Sequence, residues 1–433
     1  MNPSSSLFRK GVATFALQGG GQAGMFLAHL LLGQACGVTG YGLFAYLAAL
    51  ANLLIIPAKL GQDSIVLRQI PIYIVNGQFG LLRGLLAWTG RVVLKGSLVI
   101  TIVAIAIAQL EQSRPNGGEW FITIGLAAVP LLALGQIRAY ALMGLGKPVA
   151  GLFPEYILRP MLLICSAIFL LLRGVIPTGT EIAILFFGIA ALSYFAGLVM
   201  LNNGVRQFFG EVATESEKKS WLRSGVWMLL ASGAYQAFSQ IDVVVVGTVL
   251  SKRDAGIYSA ASRISVLIQY GLVALQVVAA PRIAAAYSKE DKQGVQQILR
   301  RVAVLATSFA AVATVPMMVI PGHILGLFGY EFTEGSLALR ILLLGHLVNA
   351  ATGATGFLLT MTGHERRAAV IIFVALLADF PVLVWGVSNF GIKGAAITTA
   401  SAMALTHSAL AFFAWRRLGV QSWFSLRSLL GRQ

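Results

Sequence analysis

Eight ionisable side chains stand inside long apolar stretches of this chain: the cations Arg91, Lys95, Arg159, Arg263 and Arg340, and the acids Glu155, Asp242 and Asp379. A charge at the centre of a bilayer costs at least ~2.5–3.5 kcal/mol, so each should face a wet cavity or a partner. Arg91 and Lys95 are one helical turn apart on one face, ~9 and ~15 Å from the inner end of their span. Glu155 and Arg159 repeat that spacing, and Pro160 beside them can bend the helix and free a backbone carbonyl. Asp242, Arg263 and Asp379 fall at a common depth, ~12–13 Å from the outer ends of their spans. That depth allows either a structural ion-pair cluster or a part in ion coupling. By sign, the first half of the chain carries three such cations against one acid, and the second half two against two. A net cationic interior suits an anionic guest such as a diphosphate, held by Arg forks and Lys point charges. It disfavours organic cations. Arg340, within about a turn of an outer end, is expected to snorkel to headgroups.

The elements that must position these groups are transmembrane helices. The chain has 433 residues, 57% hydrophobic and only 11% charged, against about 25% charged in ordinary soluble domains. Its mean hydropathy is +0.81. Soluble dehydrogenases, nucleic-acid-binding domains and secreted disulfide scaffolds are excluded on that composition. Apolar windows predict helices at 11–33, 41–58, 85–109, 120–142, 150–172 and 181–202. A second series follows at 224–250, 254–280, 302–327, 336–361, 367–387 and 391–415, twelve in all. The first window, with Gln18, Gly19, Gly20, Gly21 and Gln22 at its centre, is too long and polar for a cleavable signal peptide.

The net charge of +16 follows from topology. With a cytoplasmic N-terminus, 22 Lys and Arg fall on inside segments, Lys59, Arg138 and Lys147 among them. Only Arg114, Arg173, Lys252, Arg253 and Lys393 fall outside. The positive-inside rule then puts both termini in the cytoplasm. The inside connections 59–84, 203–223 and 281–301 mix Leu, Ile and Phe with Lys and Arg, which reads as short amphipathic helices on the inner leaflet or as solvated linkers.

The two groups of six helices superpose at an offset of half the chain. Gly40–Tyr41–Gly42–Leu43–Phe44–Ala45 opens the second span as Gly256–Ile257–Tyr258–Ser259–Ala260–Ala261 opens the eighth. An even number of crossings per half makes this a parallel repeat, the kind that encloses a site and rocks around it. The expected organisation is an N-terminal lobe at 1–202, a cytoplasmic linker and hinge at 203–223, a C-terminal lobe at 224–415 and a basic tail at 416–433.

Tyr41-Gly42-x-Phe44 followed by Leu60-Gly61-x-Asp63-x-x-x-x-Arg68, and later Asp242-x-x-x-x-Gly247…Ala255-Gly256-x-Tyr258-x-Ala260-Ala261-x-Arg263-Ile264, resemble the polysaccharide-repeat-unit flippases of the multidrug/oligosaccharidyl-lipid/polysaccharide exporter superfamily. The resemblance spans nearly the whole chain. It implies two six-helix lobes, a central cavity, and a non-enzymatic protein of the bacterial inner membrane. Its substrate would be an undecaprenyl-pyrophosphate-linked oligosaccharide, moved from the inner to the outer leaflet. Polysaccharide polymerase and chain-length machinery in that membrane would be partners. Peptidoglycan-precursor flippases usually have fourteen spans, so the count of twelve argues against that branch.

On this reading Arg91, Lys95, Arg159 and Arg263 would bind the pyrophosphate. Asp242, Asp379 and Glu155 would serve ion coupling, by H+ or Na+, or structural ion pairs. Gln18, Gln22, Gln136, Gln236, Gln240, Gln269, Asn349, Tyr156, Tyr235 and Tyr270 are of the type to line a sugar cavity, or equally to bond helix to helix. An ion-coupled drug or metabolite antiporter is the competing expectation. A glycan polymerase or ligase would need a large external loop, and every expected external connection is short.

Other signals carry less. Gly19-x-Gly21-x-x-Gly24 matches a dinucleotide fingerprint but follows no strand and has no acid about 20 positions on. Gly20-x-x-x-Gly24 reads better as a helix-packing surface. There is no Walker A pattern. His29, His323, His346, His364 and His407 lack metal-ligand spacing, and Cys36 and Cys165 form no CxxC, so neither a metal nor another cofactor is expected.

Overall fold

Backbone groups inside a bilayer have no water to bond, so apolar runs of this length close their hydrogen bonds within helices. The computed structural model describes residues 3–112, 120–206, 213 and 215–424, and these form helices and turns without a strand. Among them, eight helices are long and apolar enough to cross a membrane: Ala16–Lys59, Phe79–Leu110, Trp120–Gly144, Pro148–Arg173, Gly179–Val205, Lys292–Val319, Tyr330–Thr352 and Glu365–Leu418. The chain is a multi-pass membrane protein.

Two of the eight are helical hairpins. Gly37 (φ 66°, ψ 178°) interrupts the first and Gly391 (φ 61°, ψ −142°) the last. The His29 and Tyr41 rings lie 5.8 Å apart, although twelve residues of straight helix span ~18 Å. Around Gly391 the backbones of Gly386 and Gly394 touch. Positive φ is cheap only for glycine, so these two residues set the reversals.

Two compact units divide the chain between Ile241 and Asp242. Unit 1 contains α1 (Pro3–Lys59), α2 (Gln62–Val75), α3 (Phe79–Gln112), α4 (Trp120–Leu126), α5 (Val129–Gly144) and α6 (Pro148–Phe153). A π-helical turn (Pro154–Leu158), α7 (Arg159–Arg173), α8 (Gly179–Val205) and α9 (Lys218–Phe238) complete it. Helix α9, expected to begin the second lobe, packs on unit 1. Trp221 Nε1 donates to the Tyr73 hydroxyl at 2.9 Å, and its ring lies 5.4 Å from that of Trp88. A Cβ on Gly61 would collide with the Gly225 carbonyl, so the α1–α2 turn and α9 meet backbone to backbone. The division therefore falls at 241/242 and not in 203–223, and the expected span 224–250 is broken at Ser239–Gln240. Helix α2 buries Ile65, Val66, Ile70 and Tyr73 within the unit, so the 59–84 connection is part of the packed body. Of the 203–223 segment, 207–212 and 214 lie outside the described residues.

Unit 2 contains α10 (Ile241–Val249, from its second residue), α11 (Lys252–Ser288), α12 (Lys292–Val319), α13 (Pro321–Gly326), a 3-10 turn (Tyr330–Gly335), α14 (Ser336–Thr352), α15 (Thr355–Met361) and α16 (Glu365–Leu418). Its core gathers Leu272, Ile283, Leu299, Leu358, Leu359 and Leu410. The 281–301 stretch is the end of α11 and the start of α12, with the Asp291 side chain capping Gly294 N–H at 2.8 Å, in place of the interfacial helix or solvated linker expected there. Part of the expected tail also docks. Gln296 brackets Gln421 through two main-chain bonds, Ser422 meets Thr355 at 2.8 Å, and Phe424 N–H donates to Ala351 O at 2.7 Å. Residues 425–433 lie outside the described residues.

Candidate functional site

The polar interior of unit 1 is built on α5, the π-turn and the two ends of the α1–α2 connection. Pro154 opens the π-turn, and the Arg159 N–H reaches back five residues to Pro154 O. Pro160 supplies no N–H of its own, which favours the wider turn here. Such π-turns recur at functional sites. Gly21 and Gly24 of α1 fit against it. A Cβ on Gly21 would press within 2.5–2.8 Å of Tyr156, and one on Gly24 would lie 3.4 Å from Pro160, whereas Gly19 and Gly20 face open space. The packing surface is thus Gly21/Gly24 and not the expected Gly20/Gly24, because α1 presents the i, i+3 face.

Glu155 sits on the π-turn between two guanidinium groups. Its Oε2 is 3.5 Å from Arg159 Nη1, and its Oε1 is 3.7 Å from Arg138 Nη2. The Arg138 side chain is only 2% exposed. Its Nε donates to Gly135 O at 3.3 Å and its Nη1 to Ser193 O at 3.3 Å. The absent side chain of Gly197 makes room for it, since a Cβ there would overlap the guanidinium. A second buried group joins the α1–α2 turn to Gln136, two residues from Arg138 on the same helix. Lys59 Nζ donates to Asp63 Oδ2 at 2.8 Å and to Gln136 Oε1 at 2.6 Å, with Lys59 and Asp63 side chains 4% and 9% exposed.

Lys59 and Arg138 correct the topology count, which placed them on inside segments as loop charges; both are buried and paired within the helical body. A signal for Lys59 was available in its i, i+4 spacing to Asp63. Arg138 carried none, because its partners come from 17 and 55 positions away. With Arg159, these two groups bring three cations together with Asp63 and Glu155, a surplus of one.

The remaining expected residues are dispersed. Arg91 and Lys95 are exposed, and their stripe on α3 continues outward as exposed Leu98, Val99, Ile102 and Val103. Arg91 Nε bonds Ala87 O at 3.1 Å, and among the described residues neither side chain pairs with the Glu155–Arg159 group. In unit 2 the Tyr258 hydroxyl donates to Asp242 Oδ2 at 2.8 Å and lies 3.1 Å from Thr399 Oγ1. Val243 N–H donates to Asp242 Oδ1 at 2.8 Å. Asp379 is buried. Among the described residues no ion pair joins Arg263 to Asp242 or Asp379, and Arg263 Nε is buried without a hydrogen-bond partner. Asp379 lies near enough to Asp242 and Tyr258 to interact with them electrostatically, so the two carboxylates share a neighbourhood without a salt bridge to Arg263. Arg340 Nε bonds Met318 O at 3.1 Å.

Of the proposed cavity liners, Gln136 is engaged by Lys59, Gln269 by His346 Nδ1 at 2.6 Å, and Asn349 is buried. Tyr235 and Tyr270 are exposed. His346 Nε2 meets Ser265 at 3.1 Å. No cluster of three metal-ligating side chains occurs among the described residues.

Tyr258 joining Asp242 unites two distant parts of one sequence pattern, and comparison with known proteins bears on that pattern. Residues 228–385 match the MatE family model. The chain is similar to a protein described as a probable low-salt glycan biosynthesis flippase, Agl15, of Haloferax volcanii, at 23% identity over 92% of this chain and 81% of the relative. An inward-facing multidrug resistance MATE family transporter of the MOP superfamily matches with a TM-score of 0.75 at 15% identity, covering 92% of this chain and 94% of that one. The lipid II flippase MurJ in an inward closed conformation matches with a TM-score of 0.74 at 14% identity, covering 97% and 89%. The chain shares the fold of these transporters. These relatives are named as transporters and flippases, and the superfamily resemblance read from the sequence agrees with them.

Proposed function

We propose that this protein is a flippase that carries undecaprenyl-pyrophosphate-linked oligosaccharide repeat units across the bacterial inner membrane by alternating access, in assembly of a surface polysaccharide. The observation that carries the reading is the cationic surplus of two charge groups in unit 1, Lys59, Arg138 and Arg159 against Asp63 and Glu155. A diphosphate is held best by Arg forks in a low-dielectric setting. Arg159, 18% exposed, is the group that meets it. The exposed pair Arg91 and Lys95 attracts the same head on its approach, and Arg263 with its unpaired Nε is the corresponding cation of unit 2. The similarity to a named glycan flippase supports this choice of substrate class.

In the topology that fits this role, both termini are cytoplasmic and the chain crosses twelve times. Each of the two hairpins counts as two crossings, and α9–α10 and α11 add the last two. Glycan polymerase and chain-length proteins would act beside it. An H+ or Na+ gradient would drive the cycle, with Asp242 or Asp379 as the group whose occupancy biases the states.

The test is charge removal in the intact cell. Arg159→Ala should leave expression unchanged, abolish surface polysaccharide and accumulate lipid-linked precursor. Normal polysaccharide from Arg159→Ala, Arg91→Ala and Lys95→Ala alike would remove the basis of the site. A second reading, an ion-coupled antiporter of drugs or metabolites, is favoured by the buried Asp242–Tyr258–Thr399 group and the multidrug transporter fold. Efflux of a fluorescent cation from vesicles decides between the two.

A further inference from the structure

Glu155 has two cationic partners and neither holds it closely. Its separations of 3.7 Å and 3.5 Å exceed the about 2.7–2.9 Å of a well-formed charge-assisted bond. The partners are unequal. Arg138 is locked in place by Gly135 O and Ser193 O, and its third nitrogen, Nη2, is buried without a hydrogen-bond partner. Arg159 is open on one side, as is Glu155 at 23% exposure. A carboxylate on a widened turn, between a fixed donor that lacks a bond and a partly exposed donor held by no other hydrogen bond among the described residues, can move from one to the other.

We propose that Glu155 is a built-in counter-anion for the Arg159 site. When a polyprenyl-linked diphosphate takes Arg159, Glu155 withdraws onto Arg138 Nη2, and when the diphosphate leaves, Glu155 returns to its shared position. The inference rests on the flippase reading of the same site and adds how that site binds and lets go. The exchange leaves no buried charge unpaired in either state, and an unpaired buried charge is the arrangement most costly to a protein interior. It also weakens the grip on the substrate, because every binding event must displace an internal anion. A carrier needs that, since substrate held by uncompensated arginines would not be released. Arg138 is then a positioning residue that acts through Glu155 and does not touch the substrate.

The experiment uses the full chain in lipid nanodiscs with farnesyl diphosphate as the probe and farnesol as the control for the tail. Glu155→Gln removes the competitor and should tighten farnesyl diphosphate binding by about tenfold, the equivalent of one ion pair of ~1.4 kcal/mol, with farnesol unaffected. Arg138→Gln leaves Glu155 with Arg159 alone and should weaken binding by a similar factor. The double variant Arg138→Gln/Glu155→Gln should recover at least wild-type affinity, a rescue that a purely structural role for Arg138 would not give. Should Glu155→Gln fail to fold, Glu155→Asp, which draws the carboxylate back by one methylene, should still bind more tightly than wild type. Wild-type binding with Glu155→Gln, or its Asp substitute, unchanged or weaker overturns the counter-anion alone. So does a folded double variant as weak as Arg138→Gln. Absence of farnesyl diphosphate binding in wild type and every variant overturns the flippase reading, and this inference with it.

Discussion

In unit 1 each buried carboxylate faces a cation from another turn or helix: Asp63 faces Lys59 at 2.8 Å, and Glu155 faces Arg138 and Arg159. In unit 2 the buried Asp242 is held instead by neutral donors, the Tyr258 hydroxyl and the Val243 N–H, with Thr399 beyond them. The first arrangement leaves a positive remainder that can be shared with an incoming anion. The second leaves a negative charge without a fixed counter-charge, a place where a proton or small cation can be gained or lost. The two units thus differ in the electrostatics of their buried polar groups. Lys and Arg removal should affect substrate handling in unit 1, and hydroxyl or carboxylate changes should affect energy coupling in unit 2.

The comparison is broken most directly at Gly197. Gly197→Val should displace the Arg138 guanidinium from Ser193 O and strand a buried charge, with a cost of about 3–5 kcal/mol; the measure is loss of monodisperse protein and a large drop in melting temperature. Next in size, Lys59→Met should destabilise by about 3 kcal/mol by leaving Asp63 buried and alone, while Lys59→Met/Asp63→Leu should recover most of that loss. A double-mutant cycle in thermal stability checks it. Tyr258→Phe should cost about 1–2 kcal/mol through two lost hydrogen bonds and change the ion dependence of transport while leaving diphosphate binding intact. Diphosphate binding that falls in parallel would show the two units are not specialised in this way. The smallest effect is expected for Arg91→Gln, within about 0.5 kcal/mol in stability, because the side chain is exposed; its readout is transport rate.

Much of this was legible in the sequence. Glu155 and Arg159 are four residues apart on one helix, so their pairing follows from spacing alone, and Pro160 marked the place where the helix departs from regularity. Tyr258 and Asp242 belonged to one recognisable pattern. Arg138 was not legible. At the end of an apolar run a single arginine looks like any topology signal, and only the gap above Gly197 and the carbonyls of Gly135 and Ser193 make it an interior group. Counting residues to a common depth brought Asp242 and Asp379 together, but no salt bridge joins Arg263 to either among the described residues, because depth does not fix the direction a side chain points.

By itself the sequence determined a membrane-crossing, all-helical chain, while the positive-φ glycines that reverse its hairpins, Gly37 and Gly391, were placed by the structure. Apolar length and the need to satisfy every backbone bond within the bilayer leave no other solution. It also determined that charge of both signs would be carried into the interior. Only the tertiary structure decided which charges meet. Each residue added to a helix rotates the next side chain by about 100°, and a single π-turn shifts that rotation for all that follows. The identity of a buried ion pair is therefore set by how whole helices are turned against one another.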